Sequence, residues 1–329
     1  MEGAYYNGQY LNRLERLGYS QAEIDNKLES TFEEMFYGPE GVRLCHCAGP
    51  DMMYIEDTGN HDVRTEGMSY AMMFCVQMNR QKEFDCLWRW VVTHMYLTEG
   101  ENAGYFAWSC HTDGSKNSDG PAPDGEEFFA MSLFFAANRW GSGEGVLDYA
   151  SWARRILHAC VHKGEEAGSG FPMWNPENHL IKFIPNCEFT DPSYHLPHFY
   201  ELFALWSDEC DRPFWHAAAA ASRQYLRKAC HVRTGLSAEY AEYDGRPHRG
   251  DQPDRHDWFF SDAYRTLGNI ALDAQWFGDK DGWAQETAAH IQQFFEEKEH
   301  GQTNGIYLID GTPVEGNALH PVGLLATIA

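Results

Sequence analysis

Two kinds of helical segment alternate along this chain, and the alternation constrains the fold more than any other feature. Residues 66–79 carry Met68, Tyr70, Met72, Met73, Phe74, Val76 and Met78, apolar on nearly every side, which predicts a helix buried over most of its surface. Residues 82–96 differ. Phe84, Leu87, Trp88, Val91, Val92 and Met95 form one stripe, with Lys82, Glu83, Asp85 and Arg89 elsewhere, as in a helix with one wet face. The pair recurs as 125–140 then 145–163, 192–206 then 213–230, and 257–276 then 281–298. Buried-type helices thus begin near residues 66, 124, 191, 257 and 319, a repeat of roughly 60 residues. One buried and one half-wet helix per repeat is a helical hairpin. Such hairpins form a ring with an inner and an outer circle of helices. Residues 21–36 supply a further helix.

The fold class expected is therefore all-α. Short strands and loops belong at the rim, at residues 105–108, 178–184 and 305–309. The chain ends in the apolar run Leu324-Leu325-Ala326-Thr327-Ile328-Ala329, so the last hairpin of the ring is expected to be missing. No Pro/Gly/Ser linker or charge block interrupts the 329 residues, and residues 1–329 read as a single domain.

Charge narrows the function. With 49 acids against 25 Lys and Arg the formal net charge is −24, which repels phosphate backbones and anionic lipid. Nucleic acid and membrane partners are excluded on that ground, whereas a neutral substrate is compatible. Nine cysteines, odd in number and scattered through helical patterns, suit free thiols in a reducing compartment. Cys45-His46-Cys47 lacks the spacing of a zinc pair and no second pair follows, so no metal is expected. The N-terminus lacks a signal-peptide pattern and no apolar stretch approaches a membrane span, which leads to the expectation of a cytoplasmic protein.

The polar residues of interest fall where buried-type helices begin. Glu66 opens the first, Asp124 the second, Asp191-Pro192-Ser193-Tyr194 the third, and the stretch from Asp257 to Asp262 the fourth. In a ring of parallel inner helices these ends share one rim. Asp124 with Glu127 reads as a capping box, and Asp191-Pro192 as an N-cap followed by Pro at the first helical position. Glu66 and Asp262 fit capping less well. Each lies in a run of large apolar residues, where a carboxylate costs several kcal/mol unless it is paired or neutral.

The runs Arg64-Thr65-Glu66-Gly67-Met68-Ser69-Tyr70-Ala71-Met72, Pro123-Asp124-Gly125-Glu126, Asp191-Pro192-Ser193-Tyr194 and Ser261-Asp262-Ala263-Tyr264-Arg265 resemble glycoside hydrolase family 8. They occur in the family's order and span most of the chain. Within the family, the tail Glu315-Gly316-Asn317-Ala318-Leu319-His320-Pro321 resembles the reducing-end xylose-releasing subgroup of exo-oligoxylanases. The resemblance implies an (α/α)6 barrel and hydrolysis of β-1,4 links with inversion. It gives Glu66 the role of general acid and Asp262 that of general base. It also implies that Asp124 holds the distorted sugar, that Tyr194 helps to orient the attacking water, and that His320 binds the reducing-end sugar and closes the cleft beyond it.

Physics agrees with these roles. An inverting pair leaves room for water, with carboxyl groups about 6.5–9.5 Å apart, and needs neither nucleophile nor cofactor. Arg265 belongs to the Asp262 motif. Trp108, Trp174, Trp258 and Tyr264 are candidates for sugar stacking, with core packing as the competing role. The substrate expected is a xylo-oligosaccharide. The alternatives are an endo-acting β-1,4-xylanase, glucanase or chitosanase of the same family and, more remotely, an (α/α)6 sugar epimerase using histidine bases. The oligomeric state is not legible in the sequence.

Overall fold

The computed structural model describes residues 2–165, 169–250, 255–298 and 300–329. Its contacts group into two compact units, one of Tyr10–Phe171 and one of Met1–Gln9 with Pro172–Ala329.

In the Tyr10–Phe171 unit the buried-type helices are Thr65–Gln77 and Pro123–Trp140, and their half-wet partners are Gln81–Trp90 and Tyr149–His162. The Gln21–Tyr37 helix starts from Ser20, whose hydroxyl accepts from Glu23 N while the Glu23 carboxylate answers the Ser20 N–H, a complete capping box. The helical repeat is therefore present as read. Two small antiparallel pairs accompany it, Cys45–Cys47 with Met53–Ile55 and Asp62–Arg64 with Ser109–His111. The strand expected over 105–108 lies a few residues later. Phe106 makes only an isolated bridge, to Tyr96. Trp88, Phe106 and Phe129 pack ring against ring at this unit's centre, each worth about 1.5–3 kcal/mol in buried surface.

The other unit holds the helices Pro197–Trp206, Arg212–Ala229, Arg265–Phe277, Trp283–Gln293 and Pro321–Ile328. Ile306–Tyr307 pairs with Pro313–Val314, inside the stretch expected to form a strand. Two buried-type helices start later than the sequence pattern suggests. Pro192–Tyr194 is a separate 3-10 turn, and the α-helix begins only at Pro197, because the residue before a proline is driven out of the helical region. Ser261–Tyr264 is likewise a 3-10 turn ahead of Arg265–Phe277. Burial of the apolar helices also relents toward their C-terminal halves, where Phe74, Leu205 and Leu272 are exposed.

No disulfide joins any of the nine cysteines, and Cys45, Cys75, Cys86, Cys110, Cys160 and Cys230 are buried, packed as small hydrophobes. Among the described residues no helix is long and apolar enough to cross a membrane.

Candidate active site

The Asp62–Arg64 strand runs straight into the Thr65–Gln77 helix. Arg64 is the extended N-cap and offers no side-chain cap. Asp62 fixes this start by accepting from Arg64 Nε at 3.0 Å and from the Ser109 hydroxyl at 2.9 Å, while Thr65 N donates to the Trp108 carbonyl at 3.0 Å. Glu66 therefore occupies the second helical position, half-buried, and its Oε2 accepts from the Thr65 hydroxyl at 3.2 Å. Trp108 is half-buried beneath the Arg64 guanidinium, 5.1 Å from its ring.

Asp124 takes the same second position in the Pro123–Trp140 helix and is 2% exposed. The expected capping box does not form. Ala122 is the N-cap, so Asp124 sits inside the first turn, where its Oδ1 accepts from Gly125 N at 3.0 Å. Gly125 lets the two helix starts touch, since a methyl group there would come within 2.5 Å of Thr65 Cβ. Glu126, which the sequence reading left without a role, is fully buried. Its Oε1 accepts from Phe106 N at 3.0 Å, and its Oε2 has no hydrogen-bond partner among the described residues. Burial, and then the charges of Asp124 and Glu66, push its carboxyl well above the ordinary range.

The Asp262 end is built differently. Phe260 is extended, Ser261 turns left-handed at φ 47°, and Asp262 follows on the 3-10 turn. Asp262 Oδ2 lies 3.1 Å from Arg265 Nη2, and its Oδ1 lies 3.8 Å from His320 Nε2. The Arg265 guanidinium also covers the buried ring of Tyr194 at 5.6 Å. Tyr264 meets the His320 ring edge-on at 6.1 Å. Gly323 packs so closely on Tyr264 that a methyl group would approach its Cζ to 2.6 Å, which seats the start of the Pro321–Ile328 helix and the His320 before it.

Asp191 is the expected N-cap, accepting from Ser193 N at 2.7 Å. It is more than a cap. Burial pushes its carboxyl up to about 7 against the opposing pull of Arg265. Glu239 also belongs to this group and escaped the sequence reading. Burial, and then the charge of Asp262, push its carboxyl up to about 8, and His256 Nδ1 lies 2.9 Å from its Oε2. A single acid in Leu236-Ser237-Ala238-Glu239-Tyr240 carries no helical period; only its company of small and aromatic residues hinted at burial.

The structure thus brings together Asp262, Arg265, Tyr264, Tyr194 and His320 in one unit, and Glu66, Asp124 and Trp108 in the other. Trp258 is half-buried with Arg255 over its ring at 5.1 Å. Trp174 leaves the set of stacking candidates. It is 1% exposed and wedged against Tyr200 and Trp215, so core packing accounts for it. Cys45-His46-Cys47 is a strand whose His46 Nε2 stands 3.3 Å from Glu56 Oε2.

Acids at the starts of buried-type helices, Glu66 and Asp124 in one unit and Asp262 beside Arg265 in the other, suit a glycoside hydrolase, and the chain belongs to glycosyl hydrolases family 8, whose pattern matches residues 19–326. Its fold is accordingly the all-α (α/α)6 barrel of that family. It is 55% identical over 329 residues to the reducing end xylose-releasing exo-oligoxylanase of Halalkalibacterium halodurans, covering all of this chain and 83% of the relative. The enzyme of the same description from Bifidobacterium adolescentis is 55% identical over 312 residues, 95% of this chain and 80% of the relative. The solved structure of Rex8A from Paenibacillus barcinonensis, complexed with xylose, superposes with a TM-score of 0.96 at 55% identity, covering 100% of this chain and 86% of that one.

Proposed function

We propose that this glycoside hydrolase cleaves β-1,4-linked xylo-oligosaccharides with inversion and releases xylose from the reducing end. The observation that carries the reading is the full-length likeness to enzymes so described, joined to the acid-bearing helix starts at the matching motifs. Glu66 donates its proton to the glycosidic oxygen as the bond breaks. Asp262 removes a proton from the water that attacks the anomeric carbon from the opposite face. Both carboxyls then exchange protons with solvent to restore the starting state.

Four neighbours support the division of labour. Asp124 and Glu126 set further carboxyls at the Glu66 end, and an ionised carboxylate close by favours the protonated form of its neighbour. Arg265 and His320 place positive charge or donors at the Asp262 end, the setting for a base that must start ionised. His320, beside Asp262 at the start of the last helix, is the residue that we assign to the reducing-end sugar. Tyr194 orients the attacking water, and Trp108 and Tyr264 offer apolar faces to sugar rings. Residues 1–329 act in this reading as one catalytic domain, in a reducing compartment that suits nine cysteines without a disulfide. An endo-acting enzyme is the competing possibility within the family.

Digestion of xylohexaose in heavy-oxygen water, followed by mass spectrometry and by NMR of the first-formed anomer, tests bond position and stereochemistry together. Xylose and the oligomer shortened by one unit, with inverted anomeric configuration, are expected. Early release of mid-length fragments would replace the exo reading by an endo one.

A further inference from the structure

Glu239 touches the segment that carries the proposed base without belonging to any of the family motifs quoted above. Its backbone is registered against that segment by two hydrogen bonds, Glu239 N to the Trp258 carbonyl and Tyr240 N to the His256 carbonyl, both at 2.8 Å. Its side chain is 9% exposed and bonded at both ends. His256 Nδ1 lies 2.9 Å from Oε2, and the His256 ring is itself stacked on Tyr240 at 4.2 Å. The Ser261 hydroxyl donates to the same carboxyl.

Ser261 is the residue whose backbone turns left-handed, at φ 47°, immediately before Asp262. A side chain other than glycine rarely holds that conformation without an outside contact. The hydrogen bond to Glu239 is such a contact, made from a carboxyl that is itself immobilised. We infer that Glu239 is a positioning residue for hydrolysis. By accepting the Ser261 hydroxyl it holds the left-handed turn that aims Asp262, and His256 holds Glu239. The inference rests on the reading of Asp262 as general base.

The charged groups that face Glu239 are Asp262 on the turn, Arg265 at the start of the following helix, Asp191 at the cap of the neighbouring 3-10 turn, and His256. Burial keeps Glu239 neutral below about pH 8, so an amide is a close replacement: its oxygen still accepts from Ser261 and its nitrogen still meets His256.

The test compares Ser261→Ala, Glu239→Leu and Glu239→Gln with Asp262→Asn on xylotriose. Ser261→Ala and Glu239→Leu are expected to lower kcat about tenfold with KM within about twofold, because a displaced base loses rate and not ground-state binding. Glu239→Gln is expected to recover most of what Glu239→Leu loses. Should Glu239→Leu fail to fold, Ser261→Ala carries the test alone. Wild-type kcat in Ser261→Ala overturns the inference, as does a Glu239→Gln variant no better than a folded Glu239→Leu. Asp262→Asn separates the two claims. If it is inactive while Ser261→Ala is normal, only the positioning role falls. If it retains activity, the base assignment falls and takes this role with it.

Discussion

The Glu66 and Asp262 ends present one carboxyl each at the start of a buried-type helix, yet they are built by opposite means. Glu66 stands inside a regular α-helix, fixed by a strand pair behind it and by a glycine contact with a second helix start. Beside it stand the Thr65 hydroxyl, which donates to its carboxylate, and the Glu126 carboxyl. Asp262 stands ahead of its helix on a 3-10 turn that begins with a left-handed serine, and its company includes Arg265 and His320. Under the proposed roles, the acid is set on a regular helix and the base on a tethered turn beside the Arg265 guanidinium. The contrast shows that location on a helix start does not by itself decide the role of a carboxylate. The neighbours decide it.

The sharpest way to break this contrast is to remove each acid and change the leaving group. Glu66→Gln is expected to lower kcat on xylotriose by about 10²–10⁴-fold but to lose far less on xylobiosyl fluoride, whose departure needs little protonation, whereas Asp262→Asn should be impaired on both. Comparable losses on the two substrates for both variants would dissolve the distinction. Next in size is Arg265→Met. Removing the cation beside Asp262 and above Tyr194 should cost roughly 10–100-fold in kcat/KM, with no comparable effect from Arg64→Met at the other end, where the guanidinium serves Asp57 and Asp62.

Gly125→Ala probes the rigid end. A methyl group within 2.5 Å of Thr65 Cβ forces the two helix starts apart, at an expected cost of about 1–3 kcal/mol in unfolding free energy and a parallel fall in kcat, measurable by urea titration and initial rates. The smallest effect concerns pH. Asp191 and Glu239 are pushed up to about 7 and about 8, so the unfolded chain ionises them first and stability drains away as pH rises toward those values. The buried His195 and His198, held down to about 3, oppose this below about pH 6.5, where the unfolded chain takes up protons that the fold refuses. Above that point the carboxyls act in one direction with the buried thiols, such as Cys45 and Cys230, that burial pushes up, and the melting temperature should fall by a few degrees between pH 6.5 and 8.5. Glu239→Gln should flatten the fall; an unchanged slope would argue against a neutral Glu239.

The repeat of buried and half-wet helices was legible because a helix that is apolar all round and one with a single stripe leave different marks on a sequence. That spacing also located Glu66, Asp124, Asp191 and Asp262. What it could not locate was the exact start of each helix. Glu127 at capping distance makes a cap one reading of Asp124, but Pro123 already occupies the first helical position. Asp191 and Asp262 were placed on helices, and Pro197 and the left-handed Ser261 set them instead on separate turns. Glu126 and Glu239 stayed hidden because burial of a lone acid depends on what other segments lay over it. Phe106 N reaches Glu126 from twenty residues upstream, and Ser261 reaches Glu239 from the turn that bears Asp262.

The short turn ahead of the Arg265–Phe277 helix has a consequence for how such an enzyme can be altered. Its first side chain is anchored to Glu239 and its third, Ala263, shares a buried cluster with Leu267, while the carboxylate between them is partly exposed and lies outside that cluster. Reactivity at this end is therefore separable from folding. A designer could shorten the acid, lengthen it or exchange it for a neutral group that favours bond synthesis, and still expect the barrel to assemble.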